Sequence, residues 1–235
     1  MSFSNTINAL AVAAALLMPL GGWAQTTDWA NLGRYAEANK QLPSPTASRP
    51  RVVLIGNSIT DSWPKADTAF FASKTYEYVG RGISGQVSGQ MLLRLWSDVL
   101  ALQPKAVAIL AGINDIAENA GPYNPEATFH NITSMAELAQ ANGVRVILCS
   151  VLPAYNFPWR PGREPAPKVI ALNQRLKAYA AQHHFTYVDY HTAMADERQG
   201  LPAALATDGV HPTLAGYRIM GPLLQKGVAQ ALKHR

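Results

Sequence analysis

The sequence is short of cysteine, of charge and of long apolar runs, and each shortage excludes a class of protein. One cysteine, Cys149, allows neither an internal disulfide framework nor a paired-cysteine zinc site. Set in Val146-Ile147-Leu148-Cys149, it reads as a small core side chain. Only 15% of the residues are charged, and the 20 Lys and Arg against 15 Asp and Glu are scattered singly. The electrostatic footprint of a nucleic-acid binder is therefore missing, despite a net charge of +5. The chain also lacks an internal repeat. Its 235 residues, 48% of them hydrophobic, suffice for one domain with a sizeable core, which excludes disorder.

The longest apolar stretch, Ala9 to Leu20, has twelve residues, too few to span a bilayer and typical of a signal-peptide core. Gly21-Gly22 breaks it, and Gly22-Trp23-Ala24 offers small residues for a cut after Ala24. No Lys or Arg precedes the stretch, so only the terminal amine supplies the positive end; a retained anchor or a buried helix is the other reading. The expectation is a signal peptide over 1–24, a helix and linker over 25–50, one catalytic domain over 51–235, a secreted or periplasmic location and no stable membrane span after cleavage. Asp28 is placed to cap a short helix with Trp29, Leu32, Tyr35 and Ala36 on one face. Prolines 43, 45 and 50 make the linker.

From Arg51 the pattern is regular. Apolar runs at Val52–Ile55, Tyr76–Val79, Ala106–Leu110, Val144–Leu148 and Phe185–Val188 are short and β-branched or aromatic, as strands prefer. Between them lie helical stripes: Leu92, Leu95, Trp96 and Val99; Phe129, Ile132, Ala136 and Ala139; Val169, Leu172, Leu176 and Ala180; and Leu224, Val228 and Leu232, with Gly221-Pro222 expected to kink or divide the last helix. Met91 and Met135 fall on the stripes as core residues. This alternation predicts an α/β fold, a parallel sheet sandwiched between helices. Ligands of such sheets bind beyond the carboxyl ends of the strands.

Those ends carry polar residues. Gly56-Asn57-Ser58 follows the first strand, where Ser58 is either a helix cap or a nucleophile beside a positive helix end. Gly80-Arg81-Gly82-Ile83-Ser84-Gly85 follows the second: a turn, or a backbone that approaches a ligand closely. Asn114, after the third, either forms an Asx turn or donates to an oxyanion. Near the C-terminus, Asp208-Gly209-Val210-His211-Pro212 is either a solvated turn or a carboxylate that fixes an imidazole tautomer.

Ser, Gly, Asn and Asp-x-x-His in this order resemble the SGNH hydrolases, also called the GDSL family of esterases and lipases. Gly56-Asn57-Ser58 and Asp208-Gly209-Val210-His211-Pro212 are the specific blocks, and the resemblance runs from about Arg51 to the end. It implies a three-layer α/β/α sandwich with a five-stranded parallel sheet of flavodoxin-like type. It implies Ser58 as nucleophile, His211 as general base and acid, Asp208 as orienting carboxylate, and an oxyanion hole of the Ser58 and Gly82 N–H groups and the Asn114 amide. Asn57 departs from the family name, which has Asp there. The GxSxG elbow of the other large esterase fold is absent around Ser58.

The implied reaction is ester hydrolysis through an acyl-serine, with no metal and no cofactor; His183, His184, and His191 with Asp189 lack the spacing of a zinc site. The aromatic, basic loop Tyr155–Arg163 follows the fourth strand, so Tyr155, Trp159 and Arg160 are expected at the substrate. Trp63 is expected in the core. The expected substrate is a small-molecule, glycan or lipid ester, with short acyl esters of extracellular carbohydrate favoured. A long-chain lysophospholipase or thioesterase is the alternative, and a non-catalytic binding protein on the same fold the alternative from another class.

Overall fold

Strands that are apolar on both faces must be covered on both, so the apolar runs pair edge to edge and take helices on either side. The computed structural model describes residues 28–233; the signal peptide expected over 1–24 lies outside them. The strands β1 (Arg51–Gly56), β2 (Glu77–Gly82), β3 (Ala106–Leu110), β4 (Arg145–Cys149) and β5 (Thr186–Val188) form one all-parallel sheet in the order β2-β1-β3-β4-β5. That is the doubly wound flavodoxin-like order, whose switch point lies between β1 and β3. Gly56 is level with Gly82 on one side and Leu110 on the other, so the loops after β1, β2 and β3 start at one height.

The helices are α1 (Ala36–Lys40), α2 (Ser58–Ala66), α3 (Thr68–Phe71), α4 (Ser88–Leu93), α5 (Leu95–Asp98), α6 (Ile113–Ile116), α7 (Pro125–Ala141), α8 (Pro165–Gln182), α9 (Tyr190–Met194) and α10 (Leu214–Lys233). The expected stripes of α7, α8 and α10 face inward: Ile132, Ala136, Val169, Leu172, Leu176, Leu224 and Val228 are buried, as are Met91 and Met135. Asn142-Gly143 ends α7, with Gly143 left-handed at φ 74°. Cys149 is buried, and burial pushes its thiol pKa up to about 12, so it is an inert core thiol.

Three expectations change. The expected helix from Asp28 is instead a series of turns, and only Ala36–Lys40 is helical. Asn31 is left-handed at φ 54°, which breaks the helical run, and Asp28 accepts from the N–H of Gly33. The stripe Leu92–Val99 breaks at Arg94 into α4 and α5, because Arg94 itself turns inward; Leu95 and Val99 are buried but Trp96 is 65% exposed. Gly221-Pro222 does not divide α10, which runs unbroken. Phe70 fills the space beside Gly221, where a Cβ would come within 3.1 Å of its ring.

One aromatic cluster joins α2 to α10. Trp63 of α2 is buried between Phe70 of α3 and Tyr217 of α10, at centroid distances of 4.9 and 5.3 Å. The Tyr217 hydroxyl also donates to the carbonyl of Ile59 at 2.7 Å. Helix α10 is thereby docked on α2, and the loop that precedes α10 is carried over the start of α2.

Candidate active site

Asn57 caps α2: its Oδ1 accepts from the N–H of Ile59 at 3.1 Å. Ser58 is thus the first helical residue and not the cap, its N–H has no acceptor within the helix, and its hydroxyl is free to point outward. The Asn57 side chain is buried, and its Nδ2 has no partner.

The Ser58 hydroxyl meets the Nε2 of His211 at 2.9 Å, across 153 residues of chain. The other ring nitrogen, Nδ1, lies 2.6 Å from Oδ2 of Asp208. Asp208 builds the turn it stands on, since its Oδ1 accepts from the N–H groups of Val210 and His211 at 2.9 and 2.8 Å. Gly209 supplies the left-handed residue at φ 75°. Partial burial pushes the Asp208 carboxyl up, but the hydrogen bonds from the His211 N–H, the His211 ring and the Val210 N–H outweigh it and hold the group below the usual carboxylate range. An ionised carboxylate only accepts, so Nδ1 carries the proton and Nε2 presents its lone pair to the serine.

Gly82, at the end of β2, is pressed against the first turn of α2. A Cβ there would lie 2.1 Å from the nitrogen of Asp61 and 2.6 Å from the carbonyl oxygen of Asn57, so only glycine fits. Asn114 stands in the first turn of α6, just beyond β3, and is buried. Its Nδ2 donates one hydrogen to the carbonyl of Gln86 at 2.9 Å, which aims the amide and leaves the second hydrogen uncommitted by that bond. Ser58, Gly82 and Asn114 therefore stand at the ends of three adjacent strands that finish level.

Of the loop residues expected at the substrate, Trp159 lies beside the imidazole: its ring is 5.9 Å from that of His211 at 32°, and it is 45% exposed. Phe157, buried beneath it at 5.4 Å, sets its orientation. Arg160 donates to the carbonyl of Glu118 at 2.8 Å and ties the loop to the segment after α6. Tyr155 turns to Arg198, whose guanidinium lies 5.0 Å from its ring centroid. His183 stacks on Tyr179 at 4.0 Å. Among the described residues no group of three His, Cys, Asp or Glu is arranged to hold a metal ion, and no helix is long and apolar enough to cross a membrane.

Sequence reasoning missed Arg94. Its guanidinium has no exposed surface; it donates to the carbonyls of Gly56 and Arg81, each at 2.8 Å, to the Gln86 side chain at 2.6 Å and to Asp98 at 3.2 Å. Those carbonyls stand just ahead of Ser58 and Gly82, and the Gln86 carbonyl holds Asn114. The available signal was a lone Arg in an apolar helical stripe with Asp at i+4.

The profile of the GDSL-like lipase/acylhydrolase family matches residues 54–219. The crystal structure of a GDSL-like lipase from Bacteroides thetaiotaomicron is 48% identical, with a TM-score of 0.82 over 86% of this chain and 98% of that one. An acetylxylan esterase from Geobacillus stearothermophilus is 27% identical over 72% of this chain and 90% of its own. An acetylxylan esterase from Xylanibacter ruminicola is 24% identical over 80% of this chain, which spans 45% of that relative's length.

Proposed function

From the premise that this chain belongs to the GDSL-like lipase/acylhydrolase family of serine ester hydrolases, we propose that it removes acetyl and other short acyl groups from carbohydrate through an acyl-serine at Ser58. The observation that carries this reading is the continuous line from Ser58 Oγ through the His211 ring to Asp208, at 2.9 and 2.6 Å.

In this reading Ser58 Oγ forms a bond to the ester carbonyl carbon as its proton passes to Nε2 of His211. The imidazolium, stabilised by Asp208, returns that proton to the departing alcohol as the C–O bond breaks. Water then adds to the acyl-serine, giving its proton to the same nitrogen, and the acid leaves as Ser58 recovers its hydrogen. Negative charge on the carbonyl oxygen falls among the N–H groups of Ser58 and Gly82 and the Asn114 amide, with the positive end of α2 behind them. Trp159 offers a flat apolar face to the ester beside His211.

Two relatives named as acetylxylan esterases support the acetyl preference and a carbohydrate alcohol. The reading of residues 1–24 as an export signal would put the enzyme outside the cytoplasm, where such polymers are met.

Hydrolysis of p-nitrophenyl esters from acetyl to dodecanoyl tests the acyl preference: kcat/KM should be highest for acetyl and fall with length, and a rise toward dodecanoyl would overturn it. Ser58→Ala should lose both turnover and covalent labelling by a phosphonate. Label retained on that variant would remove Ser58 from the mechanism.

A further inference from the structure

A cleft of about 490 Å³ runs beside the candidate oxyanion site, between the turns at Asp28–Asn31 and the loop Ile83–Gln86. Its floor is the stretch of chain that follows Gly82. Its far wall is Asn119, which donates to the carbonyl of Gly85 at 3.2 Å, while its own N–H bonds the carbonyl of Asn114 at 3.0 Å. The residues that form the cleft are thus bonded directly to those that would stabilise the oxyanion.

The near wall is fastened rather than loose. Gln86 donates to the carbonyl of Ala30 at 2.7 Å and Gln90 to that of Trp29 at 2.6 Å, and the Tyr35 hydroxyl bonds the carbonyl of Gly82. Trp29 is 55% exposed at the cleft, and its ring edge lies beside Gly89 of α4, where an added Cβ would make an ordinary contact with it at 3.7 Å. Asp28 is held below the usual carboxylate range by the N–H groups of Leu32 and Gly33, so it is an ionised acceptor at the rim.

An exposed indole face beside carboxylate and amide acceptors is the chemistry of sugar recognition, in which apolar ring faces stack and hydroxyl groups donate. None of the residues lining the cleft is Lys or Arg, which disfavours a phosphate headgroup. The corner Glu118-Asn119 joins this cleft to the loop that carries Trp159: Glu118 accepts from Arg160 and pairs with Arg163 at 3.1 Å, and Asn119 holds Gly85.

We propose that this cleft binds the carbohydrate part of the ester, with Trp29 as the platform for a sugar ring next to the one that carries the acyl group. The proposal rests on the carbohydrate-ester reading above and adds to it an extended glycan subsite built by residues 28–31.

The test compares kcat/KM for an acetylated xylo-oligosaccharide with that for p-nitrophenyl acetate in wild type, Trp29→Ala and Trp29→Phe. The ratio of the two should fall about tenfold in Trp29→Ala, the order expected from losing one aromatic platform, and recover in Trp29→Phe. Using the ratio cancels any general loss of folded enzyme. A fall below about threefold, with wild type active on the oligosaccharide, overturns the subsite and leaves the carbohydrate reading standing. Wild type that hydrolyses p-nitrophenyl acetate but leaves the oligosaccharide acetylated overturns the carbohydrate reading and the subsite with it.

Discussion

The guanidinium of Arg94 donates to the carbonyl of Gly56 at 2.8 Å from a position with no exposed surface. Gly56 stands two residues before Ser58, and the same guanidinium holds the carbonyl of Arg81, one residue before Gly82. One buried cation thus ties together the two loops, alongside a single backbone bond from the Ile83 N–H to the Gly56 carbonyl at 3.1 Å.

Burial pulls the pKa of Arg94 down, while Asp98 at 3.2 Å holds it up and keeps the charge paired. Arg94→Met would leave Asp98 buried without its cation and strip the Arg94 hydrogen bonds from the Gly56 and Arg81 carbonyls and the Gln86 side chain, so it should cost about 3–5 kcal/mol of stability. Arg94→Lys keeps the charge but cannot form the fork, so kcat should fall with KM little changed in a folded protein. Urea unfolding and steady-state kinetics on the two variants check this. An Arg94→Lys enzyme with wild-type kcat would remove Arg94 as a positioning residue.

Asn114→Ala should reduce kcat by about 10²–10³, the loss of one oxyanion donor, while KM stays within a few-fold. Asn114→Asp should be worse than Ala, since it places a second anion where negative charge develops. Kinetics with p-nitrophenyl acetate decide the point. A change confined to KM would assign Asn114 to substrate binding instead.

Asp208 has a folded-state pKa below its unfolded value, so the stability it contributes is present above about pH 4 and is lost as pH falls through the folded value. Melting curves of wild type and Asp208→Asn should differ at pH 7 and converge below about pH 4. A gap that stayed constant into acid would contradict the linkage. At pH 7 the variant should also lose kcat steeply, because an amide can present its N–H to Nδ1 and favour the tautomer with its proton on Nε2.

Much of this was legible along the chain. The five apolar runs and the stripes of α7, α8 and α10 follow from side-chain periodicity, a local property, and strand ends fell within one or two residues except at β2. There the ladder continues through Gly80-Arg81-Gly82, which carry no apolar pattern. Ser58, Gly82, Asn114 and Asp208/His211 stood out as candidates because each lies at a strand end or in a turn, where residue types are constrained locally. The turns at 28–35 were not, because hydrogen bonds from Gln86 and Gln90 help hold them, and both donors lie more than fifty residues away.

By itself the sequence determined the strand–helix alternation, the polar residues at the strand ends and the self-built Asp208–His211 turn, all of which depend on neighbours within a few residues. Only the tertiary structure decided that His211 reaches Ser58, through the packing of Tyr217 on Trp63, and that Arg94 lies inside the molecule rather than on its surface. The reason is that burial and long-range approach are set by what the rest of the chain packs against a residue, which its own neighbours do not encode.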